Sequence, residues 1–269
     1  MDAKFHPAMA AIRAGDLKTF RSLIAEDPSL ATSRSTSSHP TLLQCVVLDG
    51  NGRSNNVEMA EVLIQAGAEL NEPMIAAGSI NNRAVAELLL DRGALVDGTG
   101  GWSPLEEALY WNSRDVISLL LERGAKVQNL RIAAGLGRAD LIENYFNADG
   151  SLKLEAGKID WPFRGHEPTA ESNDPQAIIN NAFVYACMHG HIKAAQVLLD
   201  TGAEINAIPG GFDYAGTGLH YAALNGHRAM ALFLLANGAD KAIKDTKVGS
   251  TPAGWANYAK HEELLDLLS

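Results

Sequence analysis

Residues 181–240 carry nearly the same message twice, and that repetition restricts the fold more than any single residue does. Gly190-His191 is followed by Val197-Leu198-Leu199-Asp200-Thr201-Gly202-Ala203-Glu204-Ile205-Asn206. Thr217-Gly218-Leu219-His220-Tyr221-Ala222-Ala223 and Gly226-His227 come next, then Leu234-Leu235-Ala236-Asn237-Gly238-Ala239-Asp240. Each word has a physical task. Thr217 stands where a hydroxyl accepts from a free amide of a first helical turn. Ala222 and Ala223 are small enough for neighbouring helices to approach closely. Gly226 and Gly238 can take the left-handed conformation that ends a helix, and Leu234-Leu235 supplies the apolar face between them. A short helical hairpin cannot bury that face alone, so its copies must stack.

In order and spacing these words resemble the ankyrin repeat, a unit of about 33 residues built on T-P-L-H-x-A and two short helices. The resemblance implies an all-α solenoid of about eight helix–turn–helix units with short β-turn fingers and one insertion. It also implies that His220, in the family's His position, hydrogen-bonds locally and ties one repeat to the next. Gly218 replaces the family's Pro at the first helical position, so a less rigid helix start is expected there.

Along the chain, residues 1–146 read as repeats one to five with an N-terminal cap, 147–177 as an inserted loop, and 178–269 as repeats six to eight with a C-terminal cap. The first unit has Pro7 at the usual Pro position and Leu17 to Ile24 as its second helix, followed by a polar loop from Ser33 to Ser38. Thr41-Leu42-Leu43-Gln44-Cys45-Val46 opens the second unit, Glu72-Pro73-Met74-Ile75-Ala76-Ala77 the third and Ser103-Pro104-Leu105-Glu106-Glu107-Ala108 the fourth. Leu130 to Ala134 and Ala139 to Phe146 are expected as the two helices of a degenerate fifth. The pattern then stops, and Pro162, Pro168 and Pro175 punctuate a segment longer than compact domains usually leave unstructured. Ser250-Thr251-Pro252-Ala253-Gly254-Trp255-Ala256 with Glu262 to Leu268 is expected to close the stack, with nothing appended.

Composition narrows the function classes. Apolar residues make up 46% of the 269, enough for a continuous core, and no apolar run approaches the roughly 18 residues of a membrane span. Asp2 and His6 stand where a signal peptide would be basic and then apolar. A net charge of −10 without a basic run argues against nucleic acid or an anionic membrane as partner. Cys45 and Cys187 are expected as buried free thiols, suiting a cytoplasmic protein. A monomer is expected.

Catalytic words are missing: no P-loop, G-x-S-x-G, H-E-x-x-H or C-x-x-C is present. Cys187, His189, His191, His220 and His227 form a candidate zinc set. The resemblance assigns three of these histidines to packing positions, and the reading expects no metal and no cofactor. Glu106 and Glu107 are adjacent on a helix, point about 100° apart and so do not face one substrate.

Binding is the better-founded expectation. In the family, partners touch the finger tips, the residue before T-P-L-H and the pair before Gly-His. Carried over, these positions place Trp102, Tyr110 and Trp111 together in the fourth unit and Met188 and His189 in the sixth. Phe212, Asp213 and Tyr214 lie on a long finger before the seventh. Trp161, Phe163 and Arg164 are the expected insertion contacts. Large aromatics dominate interface hot spots; the alternative is that these rings fill space left by the clipped third unit. The implied function is a protein–protein scaffold without enzymatic activity that binds an unidentified protein through a concave groove and finger tips. The rival is a small-molecule or enzymatic site lidded by the 147–177 insertion.

Overall fold

The computed structural model describes residues 2–37, 39–160 and 170–269, the last range without the side chains of 170 and 171. Among the described residues there are seventeen α-helices, and the one β-feature is an isolated antiparallel bridge from Phe146 to Leu152. None of these helices is long and apolar enough to cross a membrane. The chain divides into two compact units, Met1–Lys126 and Val127–Ser269.

In the first unit, four hairpins follow one another: α1 (His6–Ala14) with α2 (Leu17–Glu26), α4 (Leu42–Leu48) with α5 (Asn56–Gln65), α6 (Asn71–Ser79) with α7 (Arg83–Asp91), and α8 (Pro104–Tyr110) with α9 (Arg114–Glu122). First helices pack on first helices (α1, α4, α6, α8) and second on second (α2, α5, α7, α9). A short helix, α3 (Ser29–Thr32), precedes the expected polar loop. It forms because Leu30 and Ala31 are buried and Asp27 accepts from Ser29 at its start.

The second unit has α10 (Leu130–Gly135) with α11 (Ala139–Ile142), α12 (Pro175–Met188) with α13 (Ile192–Asp200), α14 (Gly218–Leu224) with α15 (Arg228–Ala236), and α16 (Pro252–Tyr258) with α17 (Leu265–Leu268). Here α10, α12, α14 and α16 pack in succession.

First helices of six to nine residues, as in α4, α8 and α14, are too short to persist alone in water. They are held by caps and by burial of nearly every residue. Thr41 and Ser103 each cap their helix and receive a reciprocal bond from Gln44 and Glu106. The turn between the helices of every hairpin contains at least one left-handed residue, and the last of them in each turn, Gly15, Asn55, Asn81, Asn112, Gly137, Gly190, Gly226 or Lys260, has φ between 54° and 74°. Gly and Asn take this conformation readily; Lys260 does so at a cost. Hydrogen bonds to neighbouring backbone tie successive turns: Leu95 N–H donates to Asn71, Lys126 N–H to Asp97 and Asp240 N–H to Asn206, all at 2.8–2.9 Å.

Two expectations change. The second helix of the fifth unit does not reach Phe146. After Ile142 it tightens to a 3₁₀ turn over Glu143–Tyr145, and Phe146 leaves to bridge Leu152. A local turn wins there, with Ser151 donating from both N–H and hydroxyl to Asp149 and Asn147 N–H donating to the Ser151 carbonyl. The first helix of the sixth unit begins at Pro175, a residue expected in the inserted segment. Asp174 accepts from Ala177 N–H, and Pro at the first turn extends the helix upstream. Gly218, where the family has Pro, has a steric cause. A Cβ there would stand 2.8 Å from Cys187 Sγ, so the position is Gly because α12 leaves no room for Pro. The described part of the insertion packs on the second unit, where Ala156 and Ile159 join the apolar core and Ile159 N–H donates to the Ser172 carbonyl at 2.8 Å.

Candidate functional site

Ser103 fixes the geometry of the fourth hairpin. Its hydroxyl accepts from Glu106 N–H at 3.2 Å, while Glu106 Oε2 accepts from Ser103 N–H and Oγ at 2.9 and 3.0 Å. One residue on, Glu107 points about 100° around the helix. It is only 7% exposed. Part of its cover comes from the close approach of α6: a Cβ on Gly78 would stand 3.3 Å from Glu107 Cβ and 3.1 Å from Ala108 N. A side chain at Gly78 would push the two helices apart.

Both oxygens of Glu107 are taken by tryptophan. Trp102 Nε1 donates to Oε2 at 2.6 Å and Trp111 Nε1 to Oε1 at 2.9 Å. Glu107 and Trp111 are four residues apart and so share a helix face. Tyr110 stands edge-to-face with both rings, its centroid 6.3 Å from Trp102 and 5.2 Å from Trp111. Trp102 and Tyr110 are half-buried, while Trp111 is 46% exposed. Burial pushes the Glu107 carboxyl up to about 7, and the two indole bonds only moderate that rise. The three rings expected together are brought together, and Glu107, which the sequence set aside as a catalytic partner of Glu106, bonds two of them.

The other expected contacts scatter. Met188 and Phe212 are 3% and 2% exposed and belong to the core. Phe212 packs against Tyr185 and Tyr221 at 5.2 and 5.0 Å, because its finger folds inward over α12 and α14. The Met188 carbonyl accepts from His227 Nε2 at 3.0 Å. His189 is half-buried, its ring stacked on that of His191 at 6.1 Å. Asp213 and Tyr214 remain exposed, joined by Lys247, whose Nζ lies 2.7 Å from Asp213 and 3.9 Å from the Tyr214 ring centre. Asn180 is buried inside α12, where it accepts from Gln176 and Glu204 N–H. Trp161, Phe163 and Arg164 lie outside the described residues.

His220 and His227 each bond the backbone of a neighbouring repeat. His220 Nδ1 accepts from Thr217 N–H at 3.1 Å, so Nε2 carries the proton that is donated to the Ser250 carbonyl at 3.1 Å. Burial lowers its pKa, in keeping with this neutral form. Among the described residues no group of three or more His, Cys, Asp or Glu side chains is placed to hold a metal. Cys45 and Cys187 are free and buried; burial pushes the Cys45 thiol up to about 12 and Cys187 up as well, so both stay protonated.

A second indole–carboxylate pair went unnoticed in the sequence. Trp255 Nε1 donates to Asp245 at 3.0 Å, and the backbone N–H groups of Lys247, Val248 and Ser250 donate to the same carboxylate at 2.8–2.9 Å. Burial pushes Asp245 up, but these four donors together outweigh it and hold the carboxyl down at about 2.

Against known proteins, residues 52–131 match a family model described as ankyrin repeats (3 copies). Residues 183–235 match one described as ankyrin repeats (many copies). The first match spans the hairpin that carries Glu107 and its rings. No curated protein matches the chain.

Proposed function

The chain is an ankyrin repeat protein, and from that premise we propose that it is a non-catalytic module that holds a protein partner against the aromatic surface of its fourth repeat. Ankyrin repeats are in general protein–protein interaction modules. The observation that carries the reading is Trp111: nearly half exposed, with its N–H already committed to Glu107, it is an aromatic anchor fixed before any partner arrives. Trp102 and Tyr110 extend the same surface, and Asp213 and Tyr214 are a separate finger contact in the other unit.

Affinity capture from the native host tests this. Wild-type protein should retain a partner that Trp111→Ala loses, while a substitution at Leu154, which is 97% exposed and remote in sequence, keeps it. Equal capture by all three proteins would refute the assignment of the surface. The rival small-molecule reading draws on the raised Glu107 carboxyl, a property that recurs at functional sites. Its mark would be protection of Trp111 from a soluble quencher in the isolated protein; an anchor awaiting a partner is quenched freely until that partner binds.

A further inference from the structure

Resting on that reading, we propose that the partner presents a cationic side chain, arginine or lysine, to Glu107 and the rings of Trp102, Tyr110 and Trp111.

The argument starts from an imbalance of charge. Glu107 is buried, and among the described residues it bonds two neutral indole N–H groups. A buried carboxylate without a counter-charge is costly to ionise. No basic side chain among the described residues pairs with it. Of the arginines on and just after α7 and α9, Arg83 pairs with Glu122, Arg92 with Glu61, and Arg123 with Glu87 and Asp91. Each carboxylate oxygen has two acceptor directions, and one indole occupies only one of them. Around it stand three aromatic rings, whose faces attract cations, most strongly where water is excluded. A partner's cation would therefore meet both a counter-charge and aromatic faces at the place where Trp111 reaches solvent. The chain's net charge of −10 favours the approach of such a group.

The other titratable groups near this site have their own partners. On α8, Glu106 is bound to Ser103 and Tyr110 packs on both indoles. On α6, Glu72 pairs with Arg34. On α9, Arg114 reaches Asn112, Asp115 accepts from Asn81, and Glu122 takes Arg83. Glu107 is thus the carboxylate between the two indoles that a bound cation would pair with. Since its carboxyl sits at about 7, binding should strengthen as pH rises and the carboxylate forms. If only the ionised form binds, apparent affinity gains about tenfold between pH 6 and pH 8.

Two glycine–serine peptides serve as probes, one with a central arginine and one with the neutral isostere citrulline, together with a lysine version. Their binding is followed through the indole N–H resonances of Trp102 and Trp111. The expected result is saturable movement of both signals by the arginine or lysine peptide, at least tenfold weaker with citrulline, with the stated gain from pH 6 to pH 8 in the wild-type protein. Equal binding of citrulline, no movement with either cation, or an affinity flat in pH overturns the inference. The wild-type pH series guards against misfolding of Glu107→Gln, which cannot accept from both indoles. Where a natural partner is captured, loss with Trp111→Ala but full retention with folded Glu107→Gln overturns this inference and leaves the binding surface standing. Retention with Trp111→Ala overturns the surface itself.

Discussion

Asp245 in the second unit and Glu107 in the first are both buried carboxylates that accept from tryptophan, yet they end in opposite protonation regimes. Asp245 takes three backbone N–H groups besides the Trp255 indole and stays ionised down to about pH 2. Glu107 takes two indoles among the described residues, and its carboxyl rises to about 7. The difference is the number and kind of donors. Backbone amides arranged by a finger turn outweigh burial, whereas two side-chain N–H groups do not. The first arrangement is a closed structural joint, since every donor comes from the finger or the helix beside it. The second is left with acceptor capacity, and its outer ring faces solvent.

Truncating the two tryptophans should separate the sites most sharply. Trp255→Ala, at a buried ring packed on His220, Tyr214 and Tyr221, should cost about 3–5 kcal/mol in urea unfolding. The pH dependence of stability comes next. Glu107 has a folded value above its ordinary 4.5, so its contribution is complete below about 4.5 and is lost as pH rises through 7. On the order of 3 kcal/mol should disappear between pH 4.5 and pH 8 in the wild type, and Glu107→Gln should flatten that slope. Asp245 has the reverse sign: it stabilises fully above about 3.8, and its share is lost only as pH falls toward 2. A stability that rose with pH from 5 to 8 would break the contrast. Trp111→Ala should cost about 1 kcal/mol, far less than Trp255→Ala, because half of the ring already faces water. Lys260→Gly, which relieves a left-handed lysine away from both carboxylates, should add about 0.5–1 kcal/mol to thermal or urea stability.

The hairpins were legible because their signals are local. Thr41, Ser103 and Thr217 cap, leucine pairs face inward, and Gly or Asn turns recur, each within a few residues of the structure it dictates. The placement of Trp102, Tyr110 and Trp111 in one cluster followed from the repeat positions for the same reason. What failed depended on contacts across repeats. Phe212 sits on a long finger that looks exposed in one dimension, but Tyr185 and Tyr221 draw it inward. Met188 is buried by neighbours no spacing rule names. Pro175 was expected within the insertion, yet Asp174 caps a helix that starts there. Glu107 offered one usable sign, the Trp four residues on; the burial that makes it matter comes from Gly78, a residue whose importance is the atom it lacks.

The left-handed turn residues also mark where the chain tolerates growth. Their spacing in sequence is uneven: the step from Gly137 to Gly190 holds the whole insertion, while the step from Asn55 to Asn81 is clipped. Lengthening a connection between hairpins raises its closure entropy only logarithmically. One residue added inside a helix would swing every later side chain by about 100° and turn its apolar stripe toward water. Length variation is therefore channelled into the connections, which makes them the positions at which foreign loops are best grafted and relatives are expected to differ in size.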